Sequence, residues 1–297
     1  MPTHRNSLSI GLYLVLVIAL SSIFWAPIIL QHHVGGGGGH YVEALMWCPA
    51  TAAFLTVLIR KLGFKSLGLG WGPTGRYALL GYLTPLAYAA IAYVLIWATG
   101  FGSFPNTEAI AALAKRFNWG FTDPILFVPA YAIFFGVVGM ISSTSHALGE
   151  EIGWRGFLAP RMTQNLGFTW SAIIVGLIWT AWHLPLLLFA DYNNGTPWWI
   201  GLSCFTVMVV SISVMMTWIR LKSNSVWPCA ILHASHNLFI QAILTPLTTP
   251  RPDGLTKYVT GEFGLAVPAV AAVFAVIFWV NRASAEKAVA ERAELPA

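Results

Sequence analysis

Charge is what this sequence has least of. Only 9% of its 297 residues are Asp, Glu, Lys or Arg, against roughly 25% in a soluble domain, and that scarcity excludes an ordinary water-soluble fold. Cysteine is almost as rare. Cys48, Cys204 and Cys229 lie inside apolar runs and form no CxxC pair, which excludes a disulfide framework and a zinc ribbon. The sixteen Lys and Arg give a net charge of +5 but are scattered rather than gathered into a basic stripe, so nucleic acid is not an expected partner. There is no fixed-period repeat, no HExxH helix and no separate soluble domain. The first apolar run, Leu8 to Leu30, has no small-residue cleavage site after it and exceeds a signal-peptide core, so it is expected to stay as a span.

What is present is apolar length. Hydrophobic residues make up 57% of the chain, and several runs reach the about 20 residues that cross a hydrocarbon layer of about 30 Å. Apolar length and Gly, Pro and charge punctuation predict spans near 8 to 30, 41 to 59, 77 to 98, 124 to 148, 169 to 190, 198 to 219, 226 to 245 and 264 to 281. The expected fold class is all-α: a polytopic membrane bundle of about eight transmembrane helices, one domain over 1–297. Twelve of the sixteen Lys and Arg then share one side, leaving Lys115, Arg116, Arg251 and Lys257 on the other. Because positive residues are retained in cytoplasmic loops, both termini are expected in the cytoplasm. The histidines around Gly35 to Gly39 (His32, His33, His40) are read as part of a mobile non-cytoplasmic connection, since glycines give them no fixed geometry.

Ionisable groups at membrane depth are expensive and usually face a cavity. Glu150 and Glu151 end the fourth span. Neighbours on a helix point about 100° apart, whereas residues four apart share a face. Glu151 is therefore the expected ion-pair partner of Arg155, leaving Glu150 to face the interior. His146, four residues before Glu150, shares its face and is a candidate to tune it, or is a core hydrogen-bonder. The fifth span carries Trp179-Thr180-Ala181-Trp182-His183, and the seventh carries His233-Ala234-Ser235-His236-Asn237. His233 and Asn237 share a face; His236 is expected to point elsewhere. Gly156 to Arg161 reads as a short interfacial helix, with Pro160 breaking the span and Arg161 facing the headgroups.

The motifs Glu150-Glu151-x-x-x-Arg155, aromatic-x-x-x-His at Trp179 to His183, and His233-x-x-x-Asn237 occur in that order on three expected spans. In these the chain resembles the CPBP intramembrane proteases, also called the Abi family, which includes the type II CAAX prenyl endopeptidases. The resemblance covers span number and order along the whole chain, with a motif-bearing core at about 124–245. That family usually has Phe where Trp179 stands, a departure expected to alter pocket shape more than chemistry. The resemblance implies a water-filled intramembrane chamber open towards the cytoplasm, in which Glu150 and His183 bind and activate a water. His233 and Asn237 would stabilise the oxyanion, with Glu151, Arg155 and His146 in support.

The physical logic stands beside the resemblance, because a desolvated carboxylate is a better base near neutral pH than one in water. Glu150, His183 and His233 are also a conceivable Zn²⁺ ligand set with an open fourth position. Metal-free chemistry and zinc chemistry stay open at this point, with the metal-free form preferred. The expected function is an intramembrane endopeptidase of the bacterial plasma membrane acting on membrane-associated proteins, prenylated CAAX-type or leader-peptide substrates among them. A non-catalytic scaffold and a proton-coupled transporter are the alternatives; no inverted repeat supports the latter.

Overall fold

The computed structural model describes residues 2–71 and 75–294. In lipid every amide must be satisfied within the segment, so an apolar chain of this kind becomes helix. Among the described residues the only β feature is an isolated bridge between Ser103 and Thr249. The helices are α1 (Pro2–Gln31), α2 (His40–Ile59), α3 (Gly75–Ala98), α4 (Thr107–Phe117), α5 (Pro124–Phe134), α6 (Met140–Glu151), α7 (Ala159–Phe189), α8 (Trp198–Ser223), α9 (Trp227–His236), α10 (Ala266–Val280) and α11 (Arg282–Glu294). The protein is an all-α polytopic membrane bundle, and helix covers each expected span. Among the described residues, five helices are individually long and apolar enough to cross a membrane, six if the bent pair α10 and α11 counts as one. Eight crossings stay an expectation of the sequence. Large apolar side chains such as Leu30, Ile125, Ile133 and Ile141 point outward, as lipid contact requires.

Three π-helical stretches interrupt the α-helices: Phe135–Gly139, Ile152–Leu158 and Asn237–Leu244. Helical segments thus follow one another from Pro124 to Phe189 over 66 residues, too far for a single crossing of about 30 Å. The interruption is at Gly167, with φ 71° and ψ 179°, a conformation open to glycine and strained for other residues. Pro160 does not break the helix as expected. It sits in the first turn of α7, where a missing N–H is harmless. Arg161 does not face headgroups either: it is buried, donating to the Phe157 carbonyl at 2.9 Å and to Ser66 Oγ at 3.0 Å, with its guanidinium 3.9 Å above the Phe157 ring.

Hydrogen bonds define the two ends of the bundle. Asn6 at the start of α1 meets Gln164, close to Lys65, Arg161, Arg220 and Arg292. At the far end of α1, His32 meets the Phe189 carbonyl, and Asp191 takes His33 at 2.5 Å and the Val34 amide at 2.8 Å. The glycine-rich connection is therefore pinned by its histidines rather than loose. Lys257 ties the 251–257 connection to Gly195 at the same end. Lys65, Arg161, Arg220 and Arg292 thus gather at one end of the bundle, and Lys257 lies at the other.

Candidate active site

The site begins where α2 crosses α6. A Cβ on Gly149 would lie 2.7 Å from the Met46 carbonyl, and one on Gly153 would lie 2.4 Å from Pro49 Cβ and 2.5 Å from Tyr13 Oη. Two small residues four apart let the helices close up, as in other membrane interfaces. That approach buries the intervening Glu150 and Glu151 to 3% and 0% exposure.

Glu151 and Arg155 pair at 3.1 Å with both side chains wholly buried, as helical spacing requires. The same Glu151 Oε1 takes His233 Nδ1 at 2.9 Å, and Arg220 Nε holds the Arg155 carbonyl at 2.9 Å. Glu150 points the other way. Its Oε2 accepts from Trp179 Nε1 at 2.7 Å and, more weakly, from Trp154 Nε1 at 3.4 Å. Phenylalanine could not make the first of these bonds, so Trp179 alters the chemistry around Glu150 and not only the shape of the pocket. The Arg155 guanidinium also lies 4.3 Å over the Trp179 ring, which links the two glutamate environments.

Glu150, His183, His233 and Asn237 line one cavity of about 350 Å³ together with Trp179 and Trp182. His183 Nδ1 lies 2.9 Å from the Trp179 carbonyl. A carbonyl only accepts, so Nδ1 carries the proton and Nε2 is an acceptor in the neutral ring. His146 is not part of this site. It sits partly exposed with Nε2 3.7 Å from Glu43 Oε1, because the turn separating it from Glu150 carries it towards α2. His236, expected to point elsewhere, does line the cavity.

Sequence reasoning missed Glu262. This residue is 4% exposed and lines the same cavity as Gln241 and Tyr192. Its Oε1 accepts from His236 Nε2 at 2.9 Å and from Gln241 Nε2 at 2.6 Å, and its Oε2 accepts from Tyr192 Oη at 3.1 Å. Burial pushes its carboxyl up, but the bonds from His236, Gln241 and Tyr192 outweigh this and hold it below the usual carboxylate range. The available signal was a single acid between Gly261 and Gly264 ahead of an apolar run.

Among the described residues no three His, Cys, Asp or Glu side chains assemble as a metal ion would require. Indoles bond Glu150 Oε2, and a carbonyl and a carboxylate hold the Nδ1 atoms of His183 and His233, which leaves Nε2 as the ring atom that could take a metal. The zinc set stays an expectation of the sequence, and no step below passes through a metal.

Residues 129–239 match the family model described as type II CAAX prenyl endopeptidase Rce1-like. Over this segment the chain is similar to that family. CAAX prenyl protease 2 of Methanococcus maripaludis is 27% identical over 130 residues, which is 41% of this chain and 44% of that protein. The chain therefore spans less than half the length of the curated relative it matches. The matched segment contains Glu150, Glu151, Arg155, Trp179, His183, His233 and Asn237, whereas Gln241 and Glu262 lie beyond it.

One expectation meets a conflict. The cavity is walled by Val34, Gly35 and Gly39 before α2, by Tyr192 after α7 and by Glu262 before α10. It thus lies in the half of the bundle away from Lys65, Arg161 and Arg220. The resemblance implies an opening towards the cytoplasm, whereas the charge count puts this end of the bundle on the other side.

Proposed function

We propose that the protein is an intramembrane endopeptidase in which Glu150 is the general base. The observation carrying this reading is that a buried carboxylate with only indole donors shares a cavity with His183, His233 and Asn237. Glu150 takes a proton from a water whose other proton is accepted by His183 Nε2. The oxygen attacks the scissile carbonyl carbon, and Asn237 donates to the resulting oxyanion as an uncharged group. His233 can add a second donor at Nε2 only as the doubly protonated ring, whose charge would face Glu151. Glu150 then passes its proton to the leaving nitrogen as the C–N bond breaks, so one water is consumed per bond. An oxyanion donor of this type contributes about 2.7 to 4 kcal/mol.

The substrates on this reading are membrane-associated proteins, prenylated CAAX-type or leader-peptide segments among them. The resemblance of residues 129–239 supports that class. The deciding experiment compares protein termini in host membranes carrying equal amounts of wild type and Glu150→Gln. Ends that vanish in the variant establish hydrolysis and name the substrates; identical termini with both proteins folded favour a non-catalytic scaffold.

The charge count supports a mouth on the non-cytoplasmic face. With the three native cysteines replaced, Pro252→Cys, exposed near the mouth, is expected to react with an impermeant maleimide in intact cells. Reaction only after permeabilisation would turn the mouth to the cytoplasm and the basic end outward.

A further inference from the structure

Glu262 joins three separate parts of the chain at the cavity wall. Tyr192, whose hydroxyl it holds, stacks its ring on the His183 imidazole at 5.9 Å and 20°. On the other side it holds Gln241, in the π-helical stretch that begins at Asn237, and His236, the residue before it. Its own loop is fastened to α3, where Tyr93 Oη accepts from the Gly261 amide at 3.1 Å. Behind His236, Tyr88 Oη lies 2.5 Å from Nδ1. Tyr88 is fully buried, and this is the one hydrogen bond its hydroxyl makes among the described residues. Both ring nitrogens of His236 are thus engaged, Nδ1 by Tyr88 and Nε2 by Glu262.

The three donors to this carboxylate belong to different places on the wall: beside His183, beside Asn237 and one turn further on. We propose that Glu262 is a positioning residue of the site, holding Tyr192 against His183 and the His236–Gln241 stretch beside Asn237 in a single arrangement, a role that rests on the hydrolytic reading. It touches neither the reacting bond nor the water. Cavity geometry of this kind matters because a misplacement of about 1 Å costs about 100-fold in rate.

Glu262→Gln separates positioning from charge. With its carbonyl in the Oε1 place the amide keeps His236 and Gln241, and its NH₂ donates to the Tyr192 oxygen, so each contact survives without the charge. Glu262→Leu removes every contact. Full-length protein in nanodiscs would be assayed with a fluorogenic peptide covering a cleavage end that depends on Glu150. The Leu variant is expected to lose about 100-fold in kcat with KM little changed, while Gln stays within about threefold of wild type.

Carbethoxylation of His183 by diethyl pyrocarbonate, followed by mass spectrometry, gives a readout that needs no turnover. It is expected to rise severalfold in Glu262→Leu, as Tyr192 leaves the ring, and to stay at the wild-type rate in Glu262→Gln. Unchanged His183 reactivity in folded Leu protein overturns the proposal, and so does a Gln variant as slow as Leu. If wild type cleaves nothing in a Glu150-dependent way the hydrolytic reading fails, and the modification rates alone still decide whether Glu262 holds Tyr192.

Discussion

The cavity has two buried acidic neighbourhoods that keep a carboxylate out of water by different means. Glu151 has a formal counter-ion, Arg155, one helical turn away, and shares its oxygen with His233. Glu262 has no Lys or Arg and relies on Tyr192, Gln241 and His236 from separate stretches of chain. A buried ion pair is dangerous to split, because the surviving charge has nowhere to go. A carboxylate held by several separate side chains loses its support one bond at a time. The first arrangement makes a rigid, all-or-none corner, and the second an adjustable one.

The sharpest way to break this contrast is at Glu150, which lies between the two. Glu150→Gln keeps the indole contacts and removes the base, and cleavage is expected to fall by at least about 10³-fold, or about 4 kcal/mol, with thermal unfolding in detergent unchanged. Next comes Arg155→Met, expected to cost about 3–5 kcal/mol of stability by stranding Glu151. The double variant Glu151→Leu/Arg155→Met should recover most of that loss in the same melt. Failure to recover would mean that the corner depends on the charges themselves and not on their mutual neutralisation.

Gly153→Ala is expected to cost about 1–3 kcal/mol, because its methyl meets Pro49 and Tyr13 in the α2 interface; the melting temperature reads it directly. Trp179→Phe removes the shorter of two bonds to Glu150 and is expected to lower kcat by about tenfold, the equivalent of about 1.4 kcal/mol.

The smallest effect is on the pH dependence of stability in Glu262→Gln. Its folded pKa is depressed, so its stabilising contribution is present above the unfolded carboxylate value of about 4.3 and is lost as pH falls through the lower folded value. A melting-temperature profile across that range should flatten in Glu262→Gln. An unchanged profile would mean that the carboxylate has no net electrostatic role.

The same contrast explains what was legible in the sequence. Glu151 and Arg155 are four apart on one helix, so their pairing follows from helical geometry alone. His183, His233 and Asn237 stood out because polar groups are rare at membrane depth. Glu262 falls between spans, where an acid looks ordinary, and its partners at 192, 236 and 241 meet only after folding. Apolar run length located the spanning helices but overlooked α4, which is short and amphipathic and starts at Asn106, whose side chain caps Ala109. The helix break was expected at Pro160 and occurs at Gly167, because proline in a first turn is harmless whereas positive φ needs glycine.

Glu150 also carries its own spectroscopic label. Among the described residues its hydrogen-bond partners are two indole N–H groups, and an N–H bonded to a carboxylate vibrates at a different frequency from one bonded to the neutral acid. Isotope-edited vibrational spectra of tryptophan should therefore follow protonation of this one carboxylate in an intact membrane, with no substrate, dye or crystal needed.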